Sequence, residues 1–457
     1  MAPLTFHLIP HTHWDREWYL TRAGFQARLI PVIDQVLDQL ERDPDARFVL
    51  DGQTVLLDDY LAVKPGSESR IRAQVRRGAL EIGPWYVLSD LLIPSAESLR
   101  RNLEEGRRDA ARFGRRLEVL YSPDAFGHPA ELPRLATEAG LTRAVIRRGL
   151  GRPHRTDRDL YRWEAPGGEA VLVYHLPAAG YDIAIDLAGA GDGLTQRWAP
   201  VRRALTARAA SRQIAVFLGA DHHAMVASVT ELRHRLQALE GGHLVRVSGL
   251  TEYFDAVEAE RPALTTIKGE LRRTDGHAWV LQDVHSARSR LKRHHALVEG
   301  FLEGVAAPLA GLALRKSGTD RSAFLAEAWR LLLQSQFHDT LAGTTSDAVQ
   351  EAQRVRLGEV TAIARHVAVA SLHDLAGHDP DRASERSAPS PSHLLCWNPS
   401  EEMRSGEIVT AELTFFRRDV LVGQLGGRTP RTGTGYRPFA LATETGRVLP
   451  VQVLAVR

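Results

Sequence analysis

The sequence predicts an α/β fold in which a parallel sheet of seven strands, a number that suits a closed or nearly closed barrel, is followed by a helical bundle and the start of a β-rich domain. Three observations predict it. Short apolar runs alternate with helix-period segments through the first half, and strand and helix in alternation imply a parallel sheet. From about residue 285 the pattern turns helical. After a stretch rich in Asp, Arg, Ser and Pro, strand-like pieces return.

Taken in order, the strand candidates are residues 5–9, 47–50, 79–82, 117–121, 144–147, 214–218 and 244–247. Between the first two lies 25–40, where Ile30, Ile33, Val36, Leu37 and Leu40 make one apolar face of a helix. The insert 161–174 reads as an antiparallel hairpin turning at Pro166-Gly167-Gly168. Phe324, Leu325, Ala328, Trp329, Leu332 and Leu333 mark a helix expected to stop near Gly343, and the segment from Thr344 to Asp347 can cap another running to about Leu375. The expected organisation is therefore a barrel over 1–265, a helical bundle over 266–375, a linker over 376–393, and the start of a β-rich domain over 394–457. Its strand candidates are 407–416 and 448–456.

The chain has 457 residues, enough for two or three domains and a large core. A net charge of +2 argues against a nucleic-acid or membrane partner recruited by bulk electrostatics, so Arg-rich pieces such as 70–77 and 288–293 read as solvated helix faces. One cysteine, Cys396, excludes an intrachain disulfide framework and a thiolate zinc site, leaving His and carboxylate to hold any metal. The first strand begins so early that no leader is expected, and no apolar run looks long enough to span a membrane. A cytoplasmic location is the default expectation.

The candidate chemistry falls at strand ends. His13 and Asp15 follow the first strand, and in extended backbone residues two apart point to the same side, so both can reach one metal ion. The competing reading is a core histidine beside a helix-capping aspartate. Asp51 follows the second strand, Asp124 the fourth and Asp221 the sixth. In parallel α/β sheets the carboxyl ends of the strands carry the active site, so these residues are expected on one rim, with His338 reaching back from the helical region.

The segments carrying these residues are His11 to Trp18, Tyr121 to His128, Leu218 to His222 and Gln336 to Thr344. Together and in this order they resemble the signature segments of the glycoside hydrolase family 38 alpha-mannosidases, in the form of the bacterial branch that includes mannosylglycerate hydrolases. Weaker blocks at 51–54, 83–90 and 97–100 extend the likeness, which covers the chain to about residue 375. The resemblance implies an irregular seven-stranded barrel. It implies one Zn²⁺, or another divalent ion, held by His13, Asp15, Asp124 and His338, with its open positions taken by the 2- and 3-hydroxyls of a mannosyl ring. Asp124 would also be the nucleophile of a retaining alpha-mannosidase and Asp221 its acid/base, the two carboxyls of such a site standing ~5 to 5.5 Å apart. Trp18 is similar to a residue that packs on the sugar and Asp339 to one that bonds a hydroxyl; Asp90 is a further substrate candidate. Family members usually continue beyond this point with β domains. An alpha-mannoside or mannosyl glycan is the expected partner, with homo-oligomerisation allowed for.

Two other readings compete. A metal-dependent carbohydrate deacetylase or amidohydrolase also uses His and Asp ligands on an α/β barrel, but the separate acid at Asp221 and the ligand His338 favour the glycosidase. A mannose-binding remnant without turnover is the other. His222, His223, His294 and His295 read as surface or supporting groups, and His11 and His128 as buried histidines near the site. Gly433-Thr434-Gly435 opens no helix and fails as a phosphate loop. No Gly-x-Ser-x-Gly elbow is present.

Overall fold

A computed structural model of the chain describes residues 3–151, 158–189, 193–274, 278, 281–379, 382, 395–398, 400, 402–409 and 441–452. The first strand, β1 (Thr5–Thr12), is buried along nearly its whole length and organises what surrounds it. A run apolar on both faces is what a central strand of a covered parallel sheet requires. Parallel partners are β2 (Phe48–Leu50), β8 (Gln213–Leu218) and β9 (Leu244–Val247), and β3 (Leu80–Glu81) extends the sheet beyond β2.

Pro10 in the middle of a central strand would ordinarily break its ladder. Here the register removes the conflict. Even-numbered residues of β1 present their backbone polar groups to the β9 side, as Leu8 O does to Ser248 N. On that edge the β9 pairing ends at Leu8 and the β2 pairing begins at His11, so Pro10 lies in the gap, where no ladder bond needs its missing N–H.

The second sheet runs β10-β6-β7-β5-β4, with β4 at Leu120–Ser122, β5 at Arg143–Ile146, β6 at Leu160–Glu164, β7 at Ala170–His175 and β10 at Thr265–Lys268. The expected hairpin is β6 and β7, paired antiparallel from Leu160↔Tyr174 to Glu164↔Ala170. It is built into the sheet, with β7 lying parallel to β5. All seven anticipated strands are present, and their partition into two sheets, with β10 in addition, was not readable from the sequence.

Helices clothe both sheets. Arg22–Arg42 buries Phe25, Leu29, Ile33, Val36, Leu37 and Leu40, one face at helical spacing, while Pro31 points to solvent. Ala96–Phe113 starts at a serine cap, Ser95 Oγ accepting from Ser98 N at 3.0 Å, and ends at Gly114.

Two expectations need correction. The helix through Trp329 does not run on to Gly343. It spans Ser322–Gln334, opens at residues 335–337, and resumes as a short turn, His338–Ala342, closed by Gly343 in the left-handed conformation (φ 88°). The opening exists because residues 336–338 pair with 88–90: Gln336 O accepts from Asp90 N, and His338 N donates to Leu88 O, both at 2.9 Å. A long helix, Asp347–Ala376, follows. Secondly, Ser289–Ser317 forms 29 continuous helical residues whose best window has a mean hydropathy of 1.5, long and apolar enough by composition to cross a membrane. The sequence reading missed it because charged residues punctuate the run. Its Val298, Leu302, Ala306 and Leu309 are buried in the protein.

The chain divides into two compact units, residues 1–310 with 321–368, and 311–320 with 369–457. The first holds both large sheets and His338. In the second, Lys316 Nζ donates to Leu375 O, and a two-stranded antiparallel pair joins Leu441–Ala442 to Val448–Leu449. Most of the expected linker, residues 410–416 of the strand candidate 407–416, the Gly433-Thr434-Gly435 segment and residues 453–457 lie outside the described residues.

Candidate active site and metal centre

The carboxyl end of β1 delivers His13 and Asp15 to the rim. The β1–β8 register is kept three residues beyond its last pair in an isolated bridge between His13 and Asp221, with His13 N donating to Ala220 O at 3.3 Å. His338 arrives from the other side on the opened helix. His13, Asp15 and His338, all buried, place one ligand atom each within 4.8 Å of one another. His13 Nε2 lies 3.2 Å from Asp15 Oδ1, and His338 Nε2 lies 3.5 Å from the same oxygen. Both imidazole nitrogens are buried with no hydrogen-bond partner. Buried polar atoms are nearly always partnered, so two orphan nitrogens converging on one carboxylate fit a divalent cation.

Asp124 stands at the edge of this group, its Oδ2 3.9 Å from His338 Nε2. Its other oxygen is held by Arg148, whose Nη2 and Nε lie 2.6 and 2.7 Å from Oδ1, with Arg147 Nη1 at 3.5 Å. A small recess lined by Ser89, Ser122, Asp124 and His338 opens beside it. Asp221 lies against His13. Its carboxylate takes a hydrogen bond from Tyr181, whose ring lies tilted to that of His13 at 5.1 Å between centroids.

Charge follows this geometry. Burial works against a charged His13, but Asp51 and Asp15 at its two nitrogens outweigh it and hold its pKa well above the ordinary value. Burial likewise resists ionisation of Asp221, and the His13 charge with the Tyr181 hydrogen bond overcomes it, holding this carboxyl below the usual range. Asp339 is pushed upward, by burial first and by Asp15 and Asp124 as neighbours.

The remaining candidates have local partners. Asp339 Oδ2 is 3.5 Å from His338 Nε2, and its Oδ1 accepts from Thr344. Asp90 caps its loop, Oδ1 accepting from Leu92 N and Ile93 N at 2.8 Å, with Oδ2 3.6 Å from His285. Trp18 is half-buried at the rim, edge-on to Tyr19, its carbonyl taking Ser346 N. His11 and His128 are buried, and His222 supports Asp15: its Nε2 accepts from Asp15 N at 3.2 Å while its ring stacks on Phe25.

Sequence reasoning placed Asp51 on the rim without a role there, and missed Arg148 and Tyr181. Arg148 comes just after the end of β5, as Asp51, Asp124 and Asp221 come after the ends of their strands, and that signal could have found it. Tyr181 lies in a loop with no pattern.

The described geometry matches known proteins. The profile of the glycosyl hydrolases family 38 N-terminal domain fits residues 3–280, and that of the alpha mannosidase middle domain fits residues 280–375. The chain is similar to a Halalkalibacterium halodurans protein provisionally named a mannosylglycerate hydrolase, at 33% identity over 78% of this chain and 41% of that one. It is similar to human Alpha-mannosidase 2C1 at 26% identity, over 76% of this chain and 33% of that one. The crystal structure of an alpha-mannosidase from Enterococcus faecalis V583 superposes with a TM-score of 0.78 at 29% identity, covering 82% of this chain and 43% of that one. This chain thus spans less than half the length of each of these relatives.

Proposed function

The chain belongs to glycoside hydrolase family 38 through its N-terminal and middle domains, and from that membership we propose that it is a retaining alpha-mannosidase with a zinc ion at the rim of its parallel sheet. One observation supports the reading above the rest. Two further carboxylates lie beside the His13–Asp15–His338 cluster, Asp124 next to His338 and Asp221 next to His13, and both act on the same Tyr181. In this reading residues 1–265 form the catalytic domain and 266–375 the bundle that supplies His338.

His13, Asp15, Asp124 and His338 would hold the ion, two imidazoles and two carboxylates being a set suited to Zn²⁺. Bound there, it would offer open positions to the cis 2- and 3-hydroxyls of a mannosyl ring. The protein's own groups do the rest. Arg148 fixes Asp124 by one oxygen and leaves the other facing the cluster. Asp124 attacks the anomeric carbon as the glycosidic C–O bond breaks, and Asp221 gives a proton to the departing oxygen. In the second half Asp221 takes a proton from water, which displaces Asp124 and restores the carboxylate. The base half uses an ionised Asp221, which the Tyr181 hydrogen bond favours; the acid half needs a proton taken up as substrate excludes water from the carboxyl.

Terminal alpha-mannosyl glycans and, following the name of the Halalkalibacterium relative, mannosylglycerate are the candidate substrates. The test is hydrolysis of an aryl alpha-mannoside by protein stripped of metal with a chelator and then reloaded with Zn²⁺. Loss and recovery of turnover is expected. Full activity in the stripped protein would remove the metal from the reading, and mannose binding without turnover by the reloaded protein would make it a binding protein.

A further inference from the structure

Asp51 has no assigned part in the site, yet its geometry is the most constrained on the rim. It is fully buried at the end of β2 and has a φ of 46°, followed by Gly52 at 65°. A side-chain-bearing residue in the left-handed region persists only where its surroundings over-determine it, and such residues gather at functional sites. Gly52 is held too: a β-carbon there would meet Tyr121 Cβ at 2.8 Å. The backbone therefore cannot relax this turn by trading the two positions.

The fixed carboxylate grips two consecutive residues. Oδ1 bonds His13 Nδ1 at 2.9 Å, while Oδ2 accepts Trp14 N at 2.7 Å and Gln53 Nε2 at 2.8 Å. Gln53 in turn donates to Trp14 O at 2.9 Å, so Trp14, the residue between His13 and Asp15, is held at both its N–H and its carbonyl. A neutral imidazole has one N–H. A carboxylate at Nδ1 keeps the proton there and turns the Nε2 lone pair outward, and His13 Nε2 is the buried, unpartnered atom that faces Asp15 and His338. Ligating histidines characteristically have such a carboxylate behind them, and its loss typically costs 10–100-fold in metal affinity.

We propose that Asp51 is the positioning residue of the metal centre: through the His13 ring and the Trp14 amide it sets the tautomer of one ligand and the spacing of two. The proposal builds on the metal reading above, and predicts that removing the Asp51 charge weakens metal binding before it weakens the fold. A turn-forming aspartate with no such part would show the reverse.

The experiment compares the full-length wild type with Asp51→Asn, which keeps size and shape. Zn²⁺ affinity is measured by competition with a chromogenic chelator, and thermal unfolding is followed on the metal-free proteins. The expected result is about 10–100-fold weaker Zn²⁺ binding with the metal-free melting temperature little changed. Equal Zn²⁺ affinity in the two proteins would overturn the proposal while leaving the metal reading intact; a wild type that takes up no Zn²⁺ overturns both. Should Asp51→Asn fail to fold, the wild type alone decides. With ¹⁵N-histidine label and ¹¹³Cd²⁺, the His13 resonance, identified by its absence in His13→Gln, should show metal coupling at Nε2 and a slowly exchanging proton at Nδ1. Coupling at Nδ1, or a fast-exchanging proton there, would overturn the proposal.

Discussion

Asp124 and Asp221 differ in what holds them, and that difference predicts different mutant phenotypes. Asp124 is gripped by Arg148 and faces His338; Asp221 lies against His13 and takes a hydrogen bond from Tyr181. Asp221→Ala should therefore lose about 10²–10⁴-fold on alkyl mannosides, whose leaving oxygen needs a proton, and far less on mannosides of acidic phenols. Asp124→Ala should lose both. Steady-state kinetics on the two substrate types checks this, and equal losses in Asp221→Ala would reassign that residue to binding. Most of this site was legible residue by residue because strand ends mark the rim: His13, Asp15, Asp124 and Asp221 could each be placed there from an apolar run and the polar residue after it. Arg148 was hidden among many arginines, and Tyr181 has no periodicity to mark it. The role of Asp51 depends on a bond across 38 positions of sequence, which no local pattern encodes.

Among the elements, strands and the first helix were readable because period and burial agree in them. The break at 335–337 was not, since Leu332, Leu333 and Phe337 continue the helical spacing while a partner some 250 residues earlier pulls the backbone out of it. Packing between elements also gives two glycine substitutions opposite signs. Gly106, in the helix Ala96–Phe113, sits on the turn at Pro84: an added β-carbon would lie 2.2 Å from Pro84 O and 2.4 Å from Trp85 C. Those are backbone atoms that cannot step aside. Gly358, in Asp347–Ala376, has open space around its missing β-carbon. Gly358→Ala should stabilise by about 0.4–1 kcal/mol through lower unfolded-state entropy and better helix propensity. Gly106→Ala should destabilise despite the same gain. Urea unfolding of both variants tests the pair, and a stable Gly106→Ala would mean that the helix lies further from Pro84 than described.

At the scale of the whole molecule, proton uptake by buried histidines sets a lower pH limit on folding. His7 is fully buried, with Nε2 2.8 Å from Gln213 Oε1 and Nδ1 2.9 Å from Ser248 Oγ. Burial pushes its pKa down from 6.5 to about 4, against the smaller opposing pull of Gln213. The folded state thus binds the proton more weakly than the unfolded chain. The stability this contributes is complete above pH ~6.5 and is lost as pH falls toward ~4, by at most about 3 kcal/mol. Denaturation measured at pH 7 and pH 4.5 should show that loss, reduced in His7→Gln; an identical pH dependence in the variant would assign it elsewhere. The central claim, that two carboxylates around one metal cluster cleave mannosides through a glycosyl-Asp124 intermediate, has a more direct test. Proton NMR of the first sugar released from an aryl alpha-mannoside by Zn²⁺-loaded protein should show alpha-mannose, the product of two successive inversions. Beta-mannose as the first product would mean a single displacement by water and would remove Asp124 as the nucleophile.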